Sequence, residues 1–291
     1  MNVETCCRGI LRRCVACANC GWIAASLMLA PPALADNGWD LSVLADVGSP
    51  SGWVQVRENE IEGTRLHFGD LDVNTMPGLH FHADKTFSDV SELHLGFSTF
   101  MLDGSTTIDE PVFFNGATIA PGKLETRTRF QDFMEFDAAY WHRFTGFDRG
   151  GGIWGSIGAT YVLLNFRLGG TLAADSVGNE LKEDFYVQEL PVPIFGLHMR
   201  YPFADAWEFD ADASAGRLPW VDSLRTEGGE VKLAQTDEEA SIGLDYHFGN
   251  RWHAGGYLFY SYFAQDEKSH EDGNQIRLSS TGVGVKVGYR F

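Results

Sequence analysis

The sequence predicts an all-β protein: a closed antiparallel transmembrane β-barrel of ten strands, with eight or twelve as the alternative counts. Three observations predict it. Segments that alternate apolar and polar residues recur from residue 36 to the end, and no useful length of chain has helical periodicity. Tight turns and longer polar loops separate these segments in rotation, as in a barrel with short turns on one side and long loops on the other. No apolar run is long enough for a membrane helix, which needs about 20 residues. A membrane protein without one must be a closed barrel, because only a closed sheet satisfies every backbone group in lipid.

Residues 1–35 read as a secretory leader, and residues 36–291 as the barrel. Arg8, Arg12 and Arg13 form a basic start, residues 22–29 a short apolar core, and Ala33-Leu34-Ala35 a cleavage site, with cleavage expected after Ala35. All five cysteines, Cys6, Cys7, Cys14, Cys17 and Cys20, lie in this segment. The Cys17 and Cys20 pair has redox or metal spacing, but it leaves with the leader. Asn19 before Cys20 speaks against a lipoprotein site. The mature chain is therefore expected to carry no disulfide or thiol chemistry. The leader removes three arginines and one glutamate from a chain of net charge −18, which leaves about −20. Such a charge argues against nucleic acid as a partner.

The strands follow in order. The first is long, over residues 39–58, with a bend expected at Gly48-Ser49-Pro50; residues 59–76 read as an outer loop. Leu79, Phe81 and Ala83 alternate with His80, His82 and Asp84 on the second strand. Leu93, Leu95, Phe97 and Met101 oppose Glu92, His94 and Ser98 on the third. The loop over residues 103–126 is the most apolar of the outer loops and holds the turn signals Asn115-Gly116 and Pro121-Gly122. Met134, Phe136, Ala138 and Tyr140 define the fourth strand, against Glu135, Asp137 and Arg143. The fifth, residues 153–166, is apolar on both faces, and residues 169–184 read as a polar loop. Phe195, Leu197, Met199 and Tyr201 mark the sixth; Trp207, Phe209, Ala211 and Ala213 mark the seventh. Residues 218–236 read as a loop. Ile242, Leu244, Tyr246 and Phe248 mark the eighth. The ninth, residues 252–264, is aromatic on both faces, and residues 265–276 form the last expected loop.

The tenth strand has the cleanest alternation. Val283, Val285, Val287, Tyr289 and Phe291 fall on one face; Gly284, Lys286, Gly288 and Arg290 fall on the other. This terminal pattern resembles the closing strand of bacterial outer-membrane barrels, whose C-terminal aromatic is read by the barrel-assembly machinery. Tyr289 and Phe291 are the residues that match. Over the whole mature chain the alternation resembles the small outer-membrane β-barrel superfamily that includes OmpA- and OmpX-type proteins. The resemblance is of pattern rather than of a diagnostic motif. It implies a porin-like barrel in the outer membrane of a Gram-negative cell envelope, facing lipid and lipopolysaccharide. Members range from anchors and adhesins to narrow pores and lipid A enzymes.

The facing sends one set of charges into the lumen: His80, His82, Asp84, Glu92, His94, Glu135, Asp137, Arg143, His198, Arg200, Glu208, Asp210, Asp212, Asp245, His247, Lys286 and Arg290. His80, His82, Asp84 and His94 have the composition of a divalent metal site. The competing reading is a plug of paired charges, since buried charges need partners. The plug is the expectation, with no metal and no cofactor. A lipid A deacylase would need a serine beside a lipid-facing histidine, and neither His142 nor His198 has one two residues on. A surface protease would need acidic pairs and a histidine at the outer rim; Glu183-Asp184, Glu238-Glu239 and His270 are the residues available. The expected role is structural or surface-interacting and not enzymatic. The alternatives are a narrow, weakly cation-selective pore, and then an enzyme acting on lipid A or peptides. The acidic column Glu208, Asp210 and Asp212 decides between plug and pore, according to whether Arg143, Arg200, Lys286 and Arg290 neutralise it.

Overall fold

The computed structural model of the protein describes residues 38–59, 61–177, 181–184, 190–222, 231–270 and 272–291. The leader and its cleavage site lie outside them. Ten long strands make the wall: β1 (Trp39–Glu58), β2 (Met76–Ser88), β3 (Ser91–Phe100), β4 (Phe133–Gly146), β5 (Gly152–Gly169), β6 (Val192–Pro202), β7 (Trp207–Asp222), β8 (Lys232–Phe248), β9 (Trp252–Lys268) and β10 (Asp272–Arg290). Each pairs antiparallel with the next. β10 pairs with β1 from Asp40↔Arg290 to Glu58↔Asp272, so the sheet closes on itself. Closure pairs the strand edges that an open sheet would leave bare.

The polarity of the wall inverts along its length. On β1, Leu41, Val43, Ala45 and Val47 face outward and Asp40, Ser42, Leu44 and Asp46 face in. Further along, Val54 and Val56 are buried inside while Trp53, Gln55 and Arg57 take the outer side. β10 repeats the change, with Val283, Val285 and Val287 exposed outside and Ile276 and Leu278 buried within. The cause is solvent. Near the short turns the outside is apolar, as lipid requires, and the inside is polar; beyond that band the outside is polar and the inside dry. Aromatic pairs mark the short-turn rim: Trp252 with Tyr289 (4.7 Å) and Trp207 with Tyr246 (5.0 Å). That is where an interfacial girdle belongs.

The dry zone is a packed core. Leu66, Phe68, Leu71 and Val73 come from the loop after β1, and Leu102, Val112, Phe114, Ile119 and Leu124 from the loop after β3. They meet Val54, Val56, Phe133, Leu164, Phe166, Phe263, Ile276 and Leu278 of the wall. The second loop folds by itself into small ladders, Asp103–Ile108 with Gly122–Arg127 and Val112–Phe114 with Ala117–Ile119. The Asn115-Gly116 turn of the latter has φ of 48° and 70°, the left-handed pair that a two-residue hairpin needs.

Several expected boundaries change. β7 runs to Asp222, β8 starts at Lys232, β9 runs to Lys268 and β10 starts at Asp272, so the loops expected over residues 218–236 and 265–276 are largely strand. Val231, Leu233 and Ile276 are buried inside there, opposite to the lipid-facing pattern, while Trp220 stays exposed. Residues 66–67 and 182–184, expected in loops, add short strands against β1 and β5. The irregularity of β1 falls at Gly52 (φ 123°), where a Cβ would come within 1.9 Å of the Arg277 carbonyl oxygen. Pro50 sits beyond the end of the β1–β2 ladder at Gly48↔Met76, where a missing N–H costs no cross-strand bond on that side.

Candidate functional site: the lumenal charge network

The lower lumen is lined by the inward residues of all ten strands. Alternation places them there, and the register between strands chooses their partners. Arg200 forms a two-pronged pair with Glu92, at 3.2 and 3.1 Å, and its Nε donates to His198 Nε2 at 2.8 Å. His198 in turn donates from Nδ1 to Asp212. His94 faces Asp84 at Nδ1 (2.6 Å) and Asp137 at Nε2 (3.2 Å), a geometry that the doubly protonated ring satisfies. Lys286 lies 2.5 Å from Asp245 and 3.8 Å from Asp210, and His247 lies 3.8 Å from Glu208. Arg290 donates to Asp40 at 3.1 and 3.3 Å.

The acidic column therefore has partners, but of the four expected only Lys286 is among them. Lys286, His198 and His247 serve Asp210, Asp212 and Glu208; Arg290 is spent on Asp40. Arg143 has no carboxylate partner among the described residues and lies over the Trp154 ring at 5.9 Å. The shear of the barrel decides this, since it sets Glu92 beside Arg200 and carries the column away from Arg143.

The histidines that have the composition of a metal site are engaged with other partners. His80 donates from Nε2 to Asp46 (2.8 Å) and accepts at Nδ1 from Ser98 (2.8 Å), while His94 is held by its two aspartates. His82 packs edge-on to His94, with ring centroids 4.9 Å apart. The Asp46–His80–Ser98 chain has the composition of a nucleophilic triad. Tyr257 donates to its aspartate at 3.1 Å, and the Phe100 ring lies 5.4 Å from that of His80. Ser98 is only 6% exposed, at the base of the apolar core.

Sequence reasoning missed several inward residues. Asp40 and Asp46 were hidden because the expected bend left β1 without a facing. His253 and Tyr257 were hidden because β9 is aromatic on both faces. Asp237 and Glu239 face inward beside Glu135, whereas Glu239 was expected at the outer rim. Alternation counted back from Asp245 would have placed both. Asp237 Oδ2 is buried without a hydrogen bond.

Of the protease constellation, Glu238 and His270 stand apart. Tyr262 on β9 stands opposite Glu238, and His270 lies eight residues further along the chain. The six of these that reach the end of β9 at Lys268 span about 20 Å of extended strand. The side chains of Glu183 and Asp184 lie outside the described residues. The deacylase reading gains one residue across strands rather than along them: Ser91 stands opposite His142 on the outer wall. The Ser91 hydroxyl, however, bonds the Tyr140 hydroxyl at 2.8 Å.

A closed ten-stranded sheet with an apolar outer band and a polar interior defines an outer-membrane-type β-barrel protein. No protein-family model matches the chain, and no curated protein matches it. Among solved structures it is similar to the outer-membrane protease OmpT from Escherichia coli, with 13% identity over 87% of this chain and 97% of that one, and a TM-score of 0.49. It is also similar to the translocator domain of the autotransporter NalP from Neisseria meningitidis (19% identity, 94% and 96% covered, TM-score 0.38). A third is OprG from Pseudomonas aeruginosa, at 10% identity, 87% and 95% covered, and a TM-score of 0.35. Every one of these scores is below 0.5, and they say nothing about this chain's activity.

Proposed function

We propose that this protein is a non-conducting outer-membrane barrel with a structural or surface-interaction role. One observation carries the reading: the interior beyond the membrane band is filled by an apolar core. Phe68, Phe114, Phe166, Leu71 and Ile119 there are essentially without solvent contact. A path for ions would have to cross that dry layer, where a hydrated cation loses its solvation and gains no partner. Ion pairs then fill the space below it.

The outer wall supplies the contacts of such a role. Above the apolar band Trp53 lies between Arg65 (4.1 Å) and Arg277 (5.6 Å), and Arg65 is exposed. In an outer membrane this patch meets the phosphates of lipopolysaccharide, while the apolar band below meets acyl chains. Tyr289 and Phe291 serve the assembly machinery, after removal of the leader at Ala35. Catalysis is not part of the reading, because Ser98 is buried and the rim acids stand apart.

The test is conductance of purified protein in planar bilayers. No steady current is expected at neutral pH. A steady, cation-selective current in the unmodified protein makes the pore reading correct and this one wrong. An activity-based fluorophosphonate probe is expected to leave Ser98 unlabelled; labelling abolished by His80→Ala would instead establish an enzyme.

A further inference from the structure

We propose that the short-turn end of the lumen binds a divalent transition-metal ion through Glu208, Asp210, Asp245 and His253, at a seat that the Lys286 ammonium otherwise fills. Carboxylate oxygens of Glu208, Asp210 and Asp245 all lie within 4.8 Å of one another. Two oxygens on one zinc-sized ion are at most about 4.2 Å apart. Tetrahedral zinc holds its oxygens about 3.4 Å apart, so closing the seat draws the carboxylates together by up to about 1.4 Å.

Carboxylates alone would not make this a site. The independent observation is His253. It is only 8% exposed, and its Nδ1 has no hydrogen-bond partner. The ring donates from Nε2 to Asp40 Oδ1 at 3.0 Å, which leaves the Nδ1 lone pair free. His253 Nδ1 lies 3.8 Å from Asp245 Oδ2 and outside the 4.8 Å cluster of the three carboxylates, so the ring turns toward Glu208 and Asp210 to join them on an ion. Two electron-rich atoms at this separation are too far apart to hydrogen-bond and well placed to share an ion. A carboxylate holding the far N–H of a ligating imidazole is the arrangement metal sites use to fix the ring. Asp40 is therefore the positioning residue, itself held by Arg290.

Two inward glycines make the seat. A Cβ on Gly255 would fall 1.9 Å from Asp245 Oδ1, and one on Gly288 would fall 2.0 Å from His253 Nε2. Both side chains lean over bare backbone to reach their places. With the Lys286 ammonium displaced, a divalent ion puts two positive charges where one stood among the three carboxylates. Asp210 Oδ2, like His253 Nδ1, is buried without a hydrogen bond. A mixed imidazole and carboxylate set selects zinc or cobalt over magnesium and calcium, which favour oxygen alone.

Zinc titration of the refolded barrel by calorimetry tests this, with cobalt as the spectroscopic probe. Zinc is expected to bind one ion per barrel, and excess magnesium is expected not to displace it. His253→Ala should weaken binding at least tenfold. Asp40→Asn should weaken it by about 10–100-fold, the range for lost outer-shell partners. Lys286→Met, which removes the competing ammonium, should tighten it at least tenfold. Heat-modifiable mobility on unheated gels checks that each variant is folded. Cobalt on the unmodified protein should show a visible spectrum of nitrogen and oxygen ligation, a readout that needs no variant. An aquo-like cobalt spectrum, no zinc binding by the unmodified protein and Lys286→Met at millimolar zinc, or unchanged affinity in folded His253→Ala would each overturn the proposal.

Discussion

Arg143 and Arg200 face the same lumen from β4 and β6, and by sequence they are equivalent inward cations. The structure separates them. Arg200 holds the buried Glu92 by two hydrogen bonds, while Arg143 rests on an indole face. Removing Arg200 leaves a buried carboxylate unpaired, which costs about 3 kcal/mol. Removing Arg143 forfeits only a cation–π contact of about 1 kcal/mol or less. Urea titration of Arg200→Ala and Arg143→Ala in lipid vesicles should show this order. Equal losses would mean that the Glu92 pair is not formed in the membrane. Periodicity could put both arginines inside, because facing is a local property of a strand. Partner choice depends on register around the whole barrel, and no single strand encodes that.

At the scale of the strand, β1 and β10 each carry both polarities, and the exchange predicts opposite tolerances at the two ends. Val285 is 61% exposed on the outer wall, and an arginine there should cost about 2–4 kcal/mol near mid-membrane. On β1 beyond the band the faces trade roles. Val54→Arg buries a charge in the dry core and should prevent stable folding, whereas Gln55→Arg, on the outer side, should be tolerated. Folding yield and urea midpoint of the three variants measure this. If Gln55→Arg proves as damaging as Val54→Arg, the extended part of β1 is not a two-faced strand. The same exchange explains why β5 and β9 look apolar on both faces: each crosses from the lipid zone into the dry zone. The end of β10 carries the assembly proposal. Deleting Phe291 should slow insertion, seen as accumulation of unfolded chain with unheated mobility, while barrels already assembled keep their stability. An unchanged insertion rate would remove the assembly role from this residue.

For the whole molecule, the seal is predicted to lie in the upper core rather than in the ion pairs below it. The sequence places the gate at the inward arginines, so that removing Arg143 and Arg200 together would admit water. With the core in place, that double variant should conduct no better than the unmodified barrel. Replacing the loop of residues 103–126 by a short turn removes Leu124, Phe114 and Ile119 from the core and should open a cation-selective current. Conductance in the double variant with the loop intact would return the gate to the charges. Among the inward charges the sequence left out Asp40, Asp46, Asp237 and Glu239; by itself it determined the all-β barrel, its ten strands and the lipid-facing side of most of them. These follow from a period of two and from turn chemistry, which act within a few residues. Only the tertiary structure decided which charges pair, that two outer loops fold into a dry core, and that His253, Asp40 and Asp245 meet near Lys286. Those outcomes depend on closure and shear, which bring together residues as far apart in the chain as Asp40 and Arg290.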